Sequence, residues 1–283
     1  ALEIAARRIW QMQRQDNPAA NYLGKLEVRG LRELQAEGGL RLNLSAVFDA
    51  SYDDLILEDQ KRFRALATFH PTGFSSEAAA HVWQDDAVIA AEALRRLQNL
   101  SLAKVVPGEM ERYRLHDLLD EYAAEKLRQA GEGEAAHRAL AGWLIKLFDD
   151  HAMDDLSNAP EVGAELDNLK EAAHWAQVEA KDGALLAQLA TKPRNWLYNV
   201  FRINTDWEAW LIGAVNLGIE DRALRANVLQ AIGDVQQFRD DRDAALVSYE
   251  EALRLFRAVG DKLGEANVLQ AIGDVQQFRD DRD

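Results

Sequence analysis

Apolar residues recur at three- and four-residue intervals along most of this chain, the spacing of one buried face of an α-helix. Leu2, Ile4, Ala5, Ile9 and Met12 begin the pattern, and Asn17-Pro18 and then Gly38-Gly39 interrupt it. Residues 44–57 read as a short helix around Ser51-Tyr52-Asp53-Asp54-Leu55. A second, over 58–69, turns Phe63, Leu66 and Ala67 inward until Pro71-Thr72-Gly73 ends it. Ser75 or Ser76 is placed to cap a third helix through Val82-Trp83, with Glu77 in its first turn. Asp85-Asp86 opens a fourth, carrying Val88, Ala91, Leu94 and Leu97. The period then changes: apolar runs at 102–106 and 112–115 flank Pro107-Gly108-Glu109 and predict a β-hairpin. Helical spacing returns over 117–129, 134–148 and 162–179, with a loop at 153–160. Residues 183–222 read as an irregular helical pair rich in aromatics (Trp196, Tyr198, Phe201, Trp207, Trp210).

From Ala223 onward the pattern is a repeat. Residues 226–243, ANVLQAIGDVQQFRDDRD, recur unchanged at 266–283, an offset of 40 residues. A period of roughly 20–50 residues marks a solenoid, in which each unit buries its apolar face by stacking on the next. The second copy stops partway and the chain opens inside a helical pattern, so a piece of a longer protein is expected. Leu229, Ile232, Gly233, Ala245, Tyr249 and Ala252 resemble the large and small positions of a tetratricopeptide repeat, in its variant of roughly 40 residues. Gly233 and Ala245 are the small pair that lets two helices approach, with Tyr249 above them and Gly260 suited to a left-handed cap. Gln236 departs from the usual aromatic and Arg257 from the common proline.

The resemblance puts the first helix of each unit on the concave surface. Asn227, Gln230, Asp234 and Gln237 fall on one face of it, and Asn267, Gln270, Asp274 and Gln277 repeat that face. Two readings stand: a groove of amides and carboxylates that hydrogen-bonds a polypeptide, or an ordinary solvated face kept identical by recent duplication.

Short helices followed by a small hairpin make a winged helix. A DNA reader of that kind presents basic and amide groups to a groove. Here the candidate helix opens on Asp85 and Asp86 and offers only Arg95 and Arg96, while Glu109 and Glu111 offset Lys104 in the wing. Where the hairpin meets the next helix stands Leu115-His116-Asp117. Asp117 is placed to cap that helix, and His116 reads as a core histidine on its own terms. The order of segments, however, resembles the C-terminal part of NB-ARC-type STAND ATPases. Ala1-Leu2-Glu3-Ile4-Ala5-Ala6 is similar to the start of that family's small helical domain, and Leu115-His116-Asp117 to its Met-His-Asp motif, with Leu for Met. Ser51-Tyr52-Asp53-Asp54-Leu55 and Glu165-Leu166-Asp167-Asn168-Leu169-Lys170 are similar to bacterial members. The resemblance implies that His116 contacts the β-phosphate of ADP and ties the winged helix to the nucleotide domain at rest.

Composition narrows these readings. A formal net charge of −15 argues against general affinity for nucleic acid or anionic membrane. Cysteine is absent, which removes disulfide and thiolate chemistry and fits a reducing compartment. No apolar run reaches the roughly 18 residues of a membrane span. No G-x-x-x-x-G-K-[ST] occurs, since Gly24-Lys25 lacks both the preceding glycine and the hydroxyl. The histidines show no H-x-x-x-H spacing, no nucleophile–base pair is visible, and Asp149-Asp150 and Asp154-Asp155 read as solvated loop charges. The tryptophans read as core.

The expected fold is mainly α: the end of a small helical domain (1–42), a winged helix with a small β-wing (43–130), a helical connector with an irregular pair (131–222), and an α-solenoid of tetratricopeptide-like hairpins (223–283). The expected function is the non-enzymatic, cytoplasmic sensor portion of a STAND ATPase. Its array binds a protein or peptide trigger, its winged helix couples to its own nucleotide-binding domain, and activation brings oligomerisation. No cofactor or metal is expected within these residues; ADP or ATP with Mg²⁺ belongs to the intact protein. The alternatives are a plain repeat scaffold without nucleotide coupling and a winged-helix transcriptional regulator.

Overall fold

The structure is a computed structural model that describes residues 47–108, 110–200 and 205–280. The helical stripe expected within 1–42, the wing-tip Glu109 and Phe201 lie outside the described residues. The described chain is mainly helical, with one two-stranded sheet. Among the described residues no helix is long and apolar enough to cross a membrane. Two compact units divide between Leu140 and Ala141.

The first unit begins with a helical segment at 47–53 and α1 (Leu57–Ala65), which tightens into a 3₁₀ turn at Leu66–Thr68. The expected helix over 58–69 is therefore two pieces. α2 (Ser76–Trp83) starts where Ser75 Oγ accepts the Ala78 N–H at 3.0 Å. α3 (Ala87–Asn99) starts where Asp86 Oδ1 accepts from the Val88 and Ile89 N–H groups at 2.9 Å each. Each cap satisfies backbone donors that a helix start leaves without an internal partner. β1 (Lys104–Val106) pairs antiparallel with β2 (Arg112–Arg114), and Phe74 bridges to Tyr113 on the other edge. α4 (Asp117–Ala130) and the first half of α5 (Gly133–Asp150) complete the unit.

The core of this unit explains Ser51-Tyr52-Asp53-Asp54-Leu55. Tyr52 and Leu55 are buried, and the Tyr52 ring lies 5.9 Å from both Phe63 and Tyr122. Asp59, almost fully buried, accepts from Arg96 at 2.7 and 2.8 Å and from Arg62 at 2.8 Å; Arg62 also reaches Asp85 at 2.7 Å. Burial pushes the Asp59 carboxyl up, and the two guanidiniums outweigh it and hold it below its ordinary range. The network joins α1, α3 and the turn before α3. A buried carboxylate stripped of these partners destabilises strongly. His137 on α5 sits where burial lowers its pKa to about 4.

The second unit runs from α5 through a short helix α6 (Pro160–Gly163) to α7 (Leu166–Val178), α8 (Gly183–Thr191) and a π-helical stretch at Trp196–Val200. It ends in α9 (Thr205–Leu217), α10 (Arg222–Phe238), α11 (Arg242–Val259) and α12 (Lys262–Asp280). Consecutive helices pack on one another: α8 on α9, α9 on α10, α10 on α11, and α11 on α12. Trp143, Trp175, Trp196, Trp207 and Trp210 are buried, as expected; the Trp196 and Trp207 indoles donate to the His151 and Ala190 carbonyls at 2.8 Å each. Asp149, Asp150 and Asp155 are exposed and Asp154 is half-buried, with Asp149 and Asp150 at the end of α5 rather than in a loop. Asp149 pairs with Lys192 at 2.9 Å and Asp154 with His151 Nδ1 at 2.6 Å.

Candidate functional site: a polar groove on α10 and α12

The groove rests on the close approach of α10 and α11. A Cβ built on Gly233 meets Tyr249 Cε1 at 2.5 Å, so glycine alone lets that ring lie flat on the helix. Ala245, Tyr249 and Ala252 are fully buried beneath it. Ser248 Oγ donates to Gln236 Oε1 at 2.7 Å, a polar contact where an aromatic was expected. α11 ends at Gly260, whose φ of 76° is the left-handed conformation glycine adopts without strain. Asp261 then accepts the Gly264 N–H at 2.9 Å and starts α12.

α10 packs its apolar face against α11 and carries Asn227, Gln230, Asp234 and Gln237 on an adjoining face, from which Asp234 and Gln237 still reach the Tyr249 hydroxyl of α11. A cleft of ≈ 1060 Å³ there is lined by Asn227, Asp234 and Gln237 together with Asp149, Lys192, Arg194, Asn195, Tyr198, Phe238 and others. A second cleft of ≈ 320 Å³ is lined by Arg194, Gln230, Asp234, Gln237, Asn267, Gln270, Ala271 and Asp274. Arg194, Asp234 and Gln237 belong to both. Seven of the eight residues picked from the repeat thus meet along one groove, and Gln277 lies on the same helix face outside both linings.

Identical sequence does not give identical surroundings. On α10, Gln230 is buried and Asp234 and Gln237 are half-buried; on α12, Asn267, Gln270, Asp274 and Gln277 are all exposed. The difference centres on Asp234. Arg194 forms an ion pair with Asp234 Oδ2. The Tyr249 hydroxyl lies 2.9 Å from Asp234 Oδ1 and 2.8 Å from the Gln237 side-chain amide. A phenol has one proton to donate, so the network is satisfied when Tyr249 donates to Asp234 and accepts from the Gln237 NH₂. Burial pushes the Asp234 carboxyl up, against the downward pull of Arg194 and Tyr249. Burial, with Asp234 beside it, pushes the Tyr249 hydroxyl well above its usual value.

Sequence reasoning missed Lys192, Arg194, Asn195 and the aromatic pair Tyr198–Phe238, whose ring centroids are 6.0 Å apart in a T-shaped arrangement. Tyr198 is 37% and Phe238 64% exposed, so the pair offers an apolar rim beside the amides. Asn195 is oriented by donating to the Ala152 carbonyl at 2.8 Å. Amides that both donate and accept, next to an open aromatic surface, suit a polypeptide backbone and its side chains.

In the first unit Leu115 is buried, whereas His116 and Asp117 are exposed. His116, expected as a core histidine from its residue type alone, is the N-cap residue of α4, and its carbonyl accepts from the Leu119 and Asp120 N–H groups at 2.7 and 2.9 Å. Asp117 is the first helical residue, not the cap; it adds negative charge to the positive end of the helix dipole. Comparison of the chain with protein-family models, with curated proteins and with solved structures gives no match.

Proposed function

We propose that this chain is the regulatory portion of a STAND-type signal-transducing ATPase. In it a tetratricopeptide-like solenoid binds a polypeptide trigger, and a winged helix answers to a nucleotide-binding domain outside this sequence. The observation that carries the reading is the groove, in which amides from two repeat copies line up beside the exposed Tyr198–Phe238 pair. The arrangement at the α4 start adds support. Leu115 anchors in the core while the neighbouring His116 imidazole stays open to solvent, where a phosphate can reach it.

A selection of random heptapeptides displayed against the chain tests the groove. Binders should lose about tenfold or more in affinity with Tyr198→Ala or Asn227→Ala, as contact residues in an interface do. A selection that returns nothing, or binders indifferent to both changes, removes the reading. The coupling is tested in the protein joined to its nucleotide domain, where His116→Ala should weaken ADP. Unchanged ADP affinity would leave the second reading, a plain repeat scaffold without nucleotide coupling. Reading of DNA by α3 is disfavoured because Asp86 is the cap and Asp85 is engaged by Arg62.

A further inference from the structure

The larger cleft is walled by a part of the chain that is not repeated. Lys192, Arg194, Asn195 and Tyr198 come from the segment that leaves α8 and runs into the π-helical stretch, and α10 forms the facing side. That wall is fixed ahead of the second repeat copy. Trp196 is fully buried and donates to the His151 carbonyl, and Asn195 donates to the Ala152 carbonyl, at 2.8 Å each. A π-helical turn is rare, and where it occurs it frequently shapes a functional site. The charges along the cleft are matched from within, Lys192 by Asp149 and Arg194 by Asp234. What remains is apolar at two ends with amides between. Leu224, near the start of α10, and Leu263, near the start of α12, line the cleft; so do Phe238, the last residue of α10, and its ring partner Tyr198. Asn227 and Gln237 lie between Leu224 and Phe238 on α10. Those fourteen helical steps span about 21 Å.

We infer that this cleft takes an extended, uncharged stretch of polypeptide that carries an apolar side chain at each end, about six residues apart. This rests on the reading of the groove as a polypeptide-binding surface and names the segment that surface selects. An extended chain rises about 3.3 Å per residue, so six steps cover about 20 Å, close to the span from Leu224 to Phe238. The step is even, so both side chains fall on one face; a step of about five or seven turns one of them away. One anchor rests against Tyr198 and Phe238, which are 37% and 64% exposed, and the other against Leu224 and Leu263. The main chain between them has unpaired N–H and C=O groups, which the Asn227 and Gln237 amides, able both to donate and to accept, suit. A helical segment does not fit: its main-chain bonds are internal, and six of its residues cover only about 9 Å. Residues beyond the two anchors lie outside the cleft, so the cleft does not select their charge.

A display selection of random nonapeptides against the full chain reads the spacing. Binders should share two apolar positions six apart. In a synthetic peptide taken from the selection, adding or removing one serine between those positions should weaken binding by about tenfold or more, the loss expected when one large apolar side chain leaves its contact. This change leaves the protein untouched, so no folding defect can mimic it. Selection repeated on Phe238→Ala should lose the apolar preference at one of the two positions, and on Leu263→Ala at the other. Both side chains are exposed, so folding is expected to survive, with an unchanged thermal midpoint as the control. Binders that weaken with Tyr198→Ala but share no such spacing, or that tolerate the one-serine change, overturn the two-anchor segment and leave the groove reading standing. Apolar preferences that survive both protein substitutions overturn it too. A selection that yields no binders overturns both.

Discussion

Two glycines at the same place in identical 18-residue stretches have different neighbours here, since the position one 40-residue step after Tyr249 lies past residue 283. At Gly233 an added methyl meets the Tyr249 ring at 2.5 Å; at Gly273 it meets nothing within 4 Å. The Tyr249 ring is fully buried and its hydroxyl is tied to Asp234 and Gln237, so it has no free direction in which to move. Gly233→Ala should therefore destabilise the protein by about 1–3 kcal/mol through overpacking. Gly273→Ala should stabilise it by about 0.5–1 kcal/mol, because alanine loses less backbone freedom than glycine on entering a helix. Urea unfolding of the two variants reads both signs at once. Midpoint shifts in the same direction would mean that Tyr249 does not pack on Gly233 as described.

At the scale of elements, what was legible in the sequence is what is decided locally. Ser75 and Asp86 were readable as helix starts because a cap is a contact between a side chain and backbone N–H groups two or three residues on. The hairpin was readable from a change of period, and Gly260 from its place at the end of α11. The face shared by Asn227, Gln230, Asp234 and Gln237 was readable from helical geometry alone. What that face meets was not. Asp234 is occupied by Arg194, which lies between α8 and the π-helical stretch at Trp196–Val200, and no local rule places that backbone. Asp149, Asp150 and Asp155 are exposed, as solvated charges are; the Lys192 and His151 partners of Asp149 and Asp154 were not legible, since they depend on how the chain folds. His116 shows the opposite limit. Its exposure follows from a chain that leaves β2 with Leu115 inward, and alternation alone would have turned it outward.

At the scale of the molecule, 48 acidic residues against 33 basic ones leave a net charge of −15, and many of the cations are already in ion pairs with neighbours. The field around the chain is thus negative well beyond any single contact, and a basic partner of the groove should feel it before contact. Two ranges of interaction should then separate in the kinetics of an arginine peptide. Long-range attraction acts on encounter and is screened once the Debye length falls to about 10 Å near 0.1 M salt. Contacts made inside the groove would act at hydrogen-bond distance and govern departure. Between roughly 20 mM and 300 mM salt the association rate constant should fall about three- to tenfold while the dissociation rate constant changes much less. The citrulline form of the same peptide carries no charge at that position and should associate at a rate nearly independent of salt. Stopped-flow measurements on the two peptides separate these cases. An arginine peptide whose association ignores salt would show that the chain's acidity plays no part in capture. Equal salt dependence for both peptides would place the attraction on some other part of the ligand.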